Sequence, residues 1–184
     1  MKRSRKIAAA LATALALAAP IARHQWPQAV SHADTPEPTA LVLKAVDGDT
    51  IDVVDDIRKR LRVRLIGLDT PETKKPLYTV GCFGPEASEF ARNTLQGKRV
   101  ALVTDPSQDA HDRYGRTLAF AILPDGTNYS VAAVKAGYAH AYVFGHKPSM
   151  YAQEIAAAEQ EARDARRGLW GPPCFGNTES VRTQ

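Results

Sequence analysis

Residues 60–68 read RLRVRLIGL, and no other stretch limits the fold so tightly. Arg60, Arg62 and Arg64 fall at every second position, with Leu61, Val63 and Leu65 between them. A period of two belongs to a β-strand with one face in water and the other in a core. Upstream, LVLKAVDGDTIDVV (41–54) predicts two more strand segments around a glycine turn, and the polar DDIRK (55–59) leads into the third. Together they predict an antiparallel meander.

Beyond the meander, helices and strands alternate. GPEASEFARNTLQG (84–97) predicts a helix with Pro85 in its first turn, an apolar stripe of Ala87, Phe90, Ala91 and Leu95, and Gly97 as its stop. RVALVT (99–104) and RTLAFAIL (116–123) are two further strands, joined by the polar loop DPSQDAHDRYG (105–115). YSVAAVKAG (129–137) predicts a second helix. A third runs from Ser149 to Arg167, with Tyr151, Ile155, Ala158, Ala162 and Ala165 along one side. Five short strands interrupted by a helix after the third fit a five-stranded Greek-key β-barrel of the OB type with about three packed helices, α+β overall.

With 184 residues and 44% hydrophobic content, the chain supports one well-packed domain and no second of similar size. Residues 41–170 are that domain, after an extended linker at 34–40 and before a tail at 171–184 with no recognisable motif. Residues 1–33 have a basic start and an Ala/Leu-rich run from Ile7 to Ala19. That is the pattern of an export signal, and it is short for a membrane span of about 20 apolar residues. Secretion is the expectation, with an uncleaved membrane-anchoring helix as the alternative. The leader also accounts for the charge. Five of the 24 basic residues precede the first acid, Asp34, so the remainder carries 19 basic against 20 acidic residues. An anion-binding site must therefore be a local cluster on a nearly neutral domain.

Cys82 and Cys174 are the only cysteines. After export they could pair, a closure worth about 4–5 kcal/mol in the chain-entropy view; two unrelated thiols are the alternative. No Cys-x-x-Cys spacing is present, which removes zinc-ribbon and thioredoxin-type chemistry.

The third strand ends in a way no half-buried strand needs. DTPET (69–73) packs two acids and a proline at its tip, and DGDT (47–50) and DRYGR (112–116) concentrate further charge. Carboxylates such as Asp49 and Asp69, with a carbonyl beside Pro71, are ligand types for a hard cation such as Ca²⁺. DGDTID is not an EF-hand loop, and each Asp also serves as a turn former. Arg64 and Arg116 present guanidinium forks that match phosphate oxygens. Strict alternation would put Arg64 and Asp69 on opposite faces; Gly67 could supply the bend that reunites them.

VDGDTIDV, RLIGLDTPET, GPEASEFARNTL, DRYGRTLAF, VKAGYAHAYV and RRGLW occur in this order between residues 46 and 170. Together they resemble the thermonuclease family, the staphylococcal-nuclease-like calcium nucleases. The resemblance implies one Ca²⁺ held by Asp49, Asp69 and the main-chain carbonyl of Thr70, with Arg64 and Arg116 on the scissile phosphate. Glu72 would activate or orient the attacking water. Arg113, Tyr114 and Tyr142 match substrate-contacting positions, and Phe144 stands where a tyrosine is found in the best-known member. The implied protein is a secreted, monomeric nuclease that cuts single-stranded or breathing DNA, and RNA too, leaving 3′-phosphate ends. No stable protein partner is implied.

Two rivals are weighed against it. A non-catalytic OB-fold module binding nucleic acid would be expected to lack some of Asp49, Asp69, Glu72, Arg64 and Arg116, and all are present. A zinc hydrolase would have to use His111, His140 and His146, whose spacing matches no zinc motif and which read as loop and surface residues.

Overall fold

The computed structural model describes residues 35–183; the export signal expected at 1–33 lies outside the described residues. Strands β1 (Ala40–Ala45), β2 (Thr50–Asp55) and β3 (Lys59–Leu65) form the antiparallel meander. Strand β4 (Leu68–Asp69) follows, then helix α1 (Gly84–Leu95), strands β5 (Arg99–Val103) and β6 (Thr117–Ile122), and helix α2 (Tyr129–Lys135). Strand β7 (His140–Ala141) and helix α3 (Ala152–Asp164) complete the order.

Five of these strands close into a barrel in the order β1-β2-β3-β6-β5, as the OB-type expectation requires. The seam between β3 and β6 is parallel and sets Arg64 opposite Leu118. It thereby carries the start of β6, with Arg116 just before it, to the end of β3. Inward residues of all five strands are sealed: Val42, Ile51, Val63, Val100 and Phe120 are fully buried. Truncating Phe120 to alanine would cost about 3–5 kcal/mol by the usual cavity penalty. The alternation in β3 survives intact, with Val63 and Leu65 buried and Arg60 and Arg62 exposed. Arg62 pairs across the wet face with Asp52 through two hydrogen bonds, 2.7 and 3.0 Å.

Helix α1 packs Ala87, Ala91 and Leu95 inward, and Phe90 stacks on Tyr138 with ring centroids 4.4 Å apart. Helix α3 is shorter than its apolar stripe predicts. It begins at Ala152, and just ahead of it the Met150 N–H donates to the Asp105 carboxylate at 2.6 Å. Its end comes at Asp164, since Arg166 has φ +50°, which leaves Ala165 as an exposed cap. Helix α2 likewise stops at Lys135, two residues before Gly137 at φ +80°. The two cysteines are joined as a disulfide, Cys82–Cys174.

Candidate active site

The turn after β3 decides the geometry. Gly67 has φ +86°, a conformation that costs a side-chain-bearing residue, and an added Cβ would also collide with Ile155. The reversal cancels the strand alternation and folds Arg64 back over its own turn. Arg64 Nη1 donates to the carbonyls of Leu65 (2.6 Å) and Leu68 (3.0 Å). Its Nη2 donates to Asp69 Oδ1 at 2.9 Å and lies 3.2 Å from Asp49 Oδ2. Strand β4 is held from outside by β7, where Asp69 faces His140 and the Tyr142 N–H donates to the Gly67 carbonyl at 2.9 Å.

Asp49 enters from the β1–β2 turn. That turn is closed by the Val46 N–H on the Thr50 carbonyl (2.8 Å) and by the Asp49 N–H on Asp47 Oδ1 (3.2 Å). Asp49 Oδ2 accepts from both the N–H and the hydroxyl of Thr70, at 3.1 and 3.0 Å. Asp49 Oδ1 accepts from the Thr50 hydroxyl (3.0 Å), and that same hydroxyl oxygen accepts from Arg116 Nη1 at 3.3 Å. Asp112 aims Arg116 from behind: its Oδ2 accepts from Arg116 Nε at 2.6 Å, and its Oδ1 accepts from the N–H groups of Tyr114 and Arg116. One hydroxyl therefore separates Arg116 from Asp49.

Asp47, Asp49, Arg64, Asp69, Thr70, Glu72 and Arg116 line one cavity of about 240 Å³. A larger one, about 480 Å³, adjoins it and shares Arg64, Asp69 and Arg116; Arg113, Tyr114, Tyr142 and Phe144 are among its walls. There the guanidinium of Arg113 stacks on the Tyr114 ring at 4.8 Å and its Nη2 donates to the Tyr114 hydroxyl at 2.6 Å. Glu72 stands exposed at the rim, its Oε1 accepting from the N–H groups of Thr73 and Lys74, both at 2.8 Å. Every residue expected at the site thus falls in or beside these two adjoining cavities.

The cavity favours a cation. Four carboxylates face two guanidiniums in it. Asp69 keeps about half its exposure (54%), yet its pKa is pushed up to about 6, first by partial desolvation and then by Asp49 and Glu72, against the pull of Arg64. Asp47 is likewise raised to about 6, by burial and then by the Asp49 charge. Carboxylates that resist ionising together gain from a hard dication, and Asp49, Asp69 and the Thr70 carbonyl are oxygen donors suited to one. No group of three or more His, Cys, Asp or Glu among the described residues is already arranged as a metal cage. Arg64 supplies the positive charge between Asp49 and Asp69.

Sequence reasoning missed the braces beneath the site. The Tyr129 hydroxyl, on a fully buried side chain, donates to the Gly48 carbonyl, and the Ser130 hydroxyl donates to the Ile66 carbonyl, each at 2.8 Å. Burial, with Asp49 and Asp47 adding, raises the Tyr129 pKa and keeps it a neutral donor. Two consecutive residues at the start of α2 thus hold both turns that carry the acids. The only signal was a capping Asn128 followed by two hydroxyl-bearing residues. His140 also departs from expectation: it is half-buried, edge-on to Trp170, with Nε2 3.0 Å from the Thr178 hydroxyl. His111 and His146 are exposed.

Residues 62–172 match the family described as "Staphylococcal nuclease homologue". The thermonuclease of Staphylococcus hyicus is 37% identical over 135 residues, covering 73% of this chain and 76% of the relative. That of Staphylococcus intermedius is 39% identical over 130 residues, covering 71% and 74%. An uncharacterized endonuclease of Escherichia coli is 33% identical over 129 residues, covering 70% and 74%.

Proposed function

The chain belongs to the staphylococcal nuclease family and is a phosphodiester-hydrolysing nuclease, and from that premise we propose a secreted, Ca²⁺-dependent enzyme that cuts DNA and RNA to leave 3′-phosphate ends. The observation that carries this reading is that Asp49, Asp69, Arg64 and Arg116 line a single cavity, with Glu72 at its edge.

In this reading the phosphodiester enters where the two cavities meet, and its nucleoside lies along Tyr114 and Tyr142 with Arg113 on a neighbouring phosphate. Arg64 and Arg116 present fixed donors to the equatorial oxygens. Arg116 is already aimed by Asp112, while Arg64 exchanges its contacts with Asp49 and Asp69 for phosphate. Glu72 Oε1 is occupied by two backbone donors, which fixes the carboxylate and leaves Oε2 to orient or deprotonate a water. Water oxygen bonds to phosphorus, the P–O5′ bond breaks, and phosphate stays on the 3′ side. Asp49, Asp69 and the Thr70 carbonyl would hold a calcium ion, which polarises a phosphoryl oxygen when bound. A positioned base supplies about 10²–10⁴-fold, or about 3–5 kcal/mol, and each oriented donor about 3–4 kcal/mol, so two arginines and one carboxylate give about 9–13 kcal/mol of a reduction of up to about 20, and a bound cation would supply several more. Guanidinium clamps and metal-binding carboxylates recognise phosphate and cation, not the sugar, which supports action on both nucleic acids. Tyr114 and Tyr142 both expose their rings, which suits stacking on unpaired bases and so favours single strands.

Clearing of DNA and RNA plates with Ca²⁺, lost with chelator, is the expected result. Retained binding without clearing would instead make the barrel a nucleic-acid-binding module.

A further inference from the structure

The tail, described over residues 171–183, is tied to the segment that carries Glu72. The Thr79 N–H donates to the Val181 carbonyl and the Thr183 N–H to the Leu77 carbonyl, each at 2.8 Å; the Val181 N–H donates to the Thr79 hydroxyl at 3.0 Å. Tyr78 and Arg182 pair as an antiparallel bridge, and the Cys82–Cys174 disulfide joins the same two segments across 92 residues. Gly81 relays this to Glu72: its N–H donates to the Glu72 carbonyl at 2.7 Å. A Cβ on Gly81 would lie 2.8 Å from the Thr178 carbonyl oxygen and 3.0 Å from both Glu72 N and Pro71 Cβ. Tail, Gly81 and the Glu72 backbone are therefore in direct contact.

Residues 74–80 between them are almost wholly exposed and contain no helix and no strand longer than a single bridge. A segment with so few buried contacts has little local stability of its own, so its order depends on what is fastened to it. Asp49, Arg64 and Arg116 are held by the barrel and α2, with bonds the tail does not share. The tail's remaining contact near the site, Thr178 with His140, falls on β7, which the Glu159 carboxylate also holds by accepting the Ala141 N–H at 2.9 Å.

We propose that the C-terminal segment, locked by the Cys82–Cys174 disulfide, is a positioning clamp for Glu72, and that reduction by a dithiol slows hydrolysis at that carboxylate. This rests on the role given to Glu72 above. Reduction is a balanced two-electron exchange: a thiolate attacks one sulfur, Cys82 and Cys174 become thiols, and the dithiol closes to its own disulfide.

The test compares steady-state hydrolysis of a short oligonucleotide by the full chain, oxidised and reduced, in wild type and in Glu72→Gln. Reduction is expected to lower wild-type kcat about tenfold with KM within about threefold, because displacement of a reacting group costs rate more than affinity. In Glu72→Gln, already slow, reduction should change the residual rate by less than about twofold, since effects through one shared group are not additive. Equal loss in both backgrounds, or none in wild type, overturns the clamp and leaves Glu72's role standing. A Glu72→Gln enzyme of normal turnover overturns that role and the clamp with it. Gly81→Ala with the disulfide intact covers the case in which the reduced protein unfolds. It should lower kcat at nearly constant KM, and wild-type turnover in it would overturn the clamp.

Discussion

Arg64→Lys keeps the charge at the centre of the site and removes the fork. Arg64 reaches four acceptors from two nitrogens: the carbonyls of Leu65 and Leu68 through Nη1, and Asp69 and Asp49 through Nη2. One ammonium on a shorter stem cannot serve both sides. In the free protein, stranding the Leu65 and Leu68 carbonyls costs about 1–3 kcal/mol for each that water does not reach. In the reaction, loss of one oriented donor to the developing charge costs about 3–4 kcal/mol, or roughly 10²–10³ in rate. Steady-state cleavage of a single-stranded oligonucleotide at saturating Ca²⁺, with urea unfolding of the same sample, separates the two effects. A rate within about fivefold of wild type would refute the fork and leave only a point charge. Lower stability with unchanged kcat would place Arg64 in the framework alone.

Glu72→Gln should cut turnover by about 10²–10⁴, the worth of a positioned base, with substrate affinity nearly unchanged in equilibrium binding; normal turnover would discard its role. Tyr129→Phe removes one hydroxyl and strands the buried Gly48 carbonyl. It should cost about 1–3 kcal/mol in urea unfolding, whereas no measurable loss would show that water replaces the bond. Asp55 is buried and holds the β2–β3 turn through the N–H groups of Ile57 and Arg58. Its pKa lies well below the usual carboxylate range, first through the Arg58 guanidinium hydrogen bond and then through the Arg58 N–H. A lowered folded-state pKa stabilises above the unfolded value of about 3.9, and the contribution fades as pH falls toward the folded one. Asp55→Ala should therefore be less stable than wild type at neutral pH, and the gap should shrink below about pH 4; a constant gap would deny the linkage.

The barrel was legible because its signals are local. The period of two in β3, the polar turn at 55–59 and the glycine stop after α1 each act within a few residues. The site was legible only in part. Strand alternation set Arg64 and Asp69 apart, and the sign of φ at Gly67, which reunites them, leaves no trace in a hydropathy pattern. The β4–β7 pair joins two-residue segments about 70 positions apart, too short to show periodicity. Tyr129 and Ser130 read as the start of an ordinary helix, because their hydroxyls act on carbonyls 81 and 64 residues upstream. The tail looked featureless for the same reason: its partners are the loop at 77–82 and a cysteine 92 residues back.

In the proposed reaction one pocket directs water onto phosphorus so that the bond to the 5′ oxygen breaks. Hydrolysis of a short oligonucleotide in ¹⁸O-water, read by mass spectrometry of the fragments, tests it most directly. Each new 3′-phosphate should carry a single ¹⁸O, only when Ca²⁺ is present, and the 5′-hydroxyl fragment none. Label at a 5′-phosphate, or cleavage that persists in chelator, would contradict it.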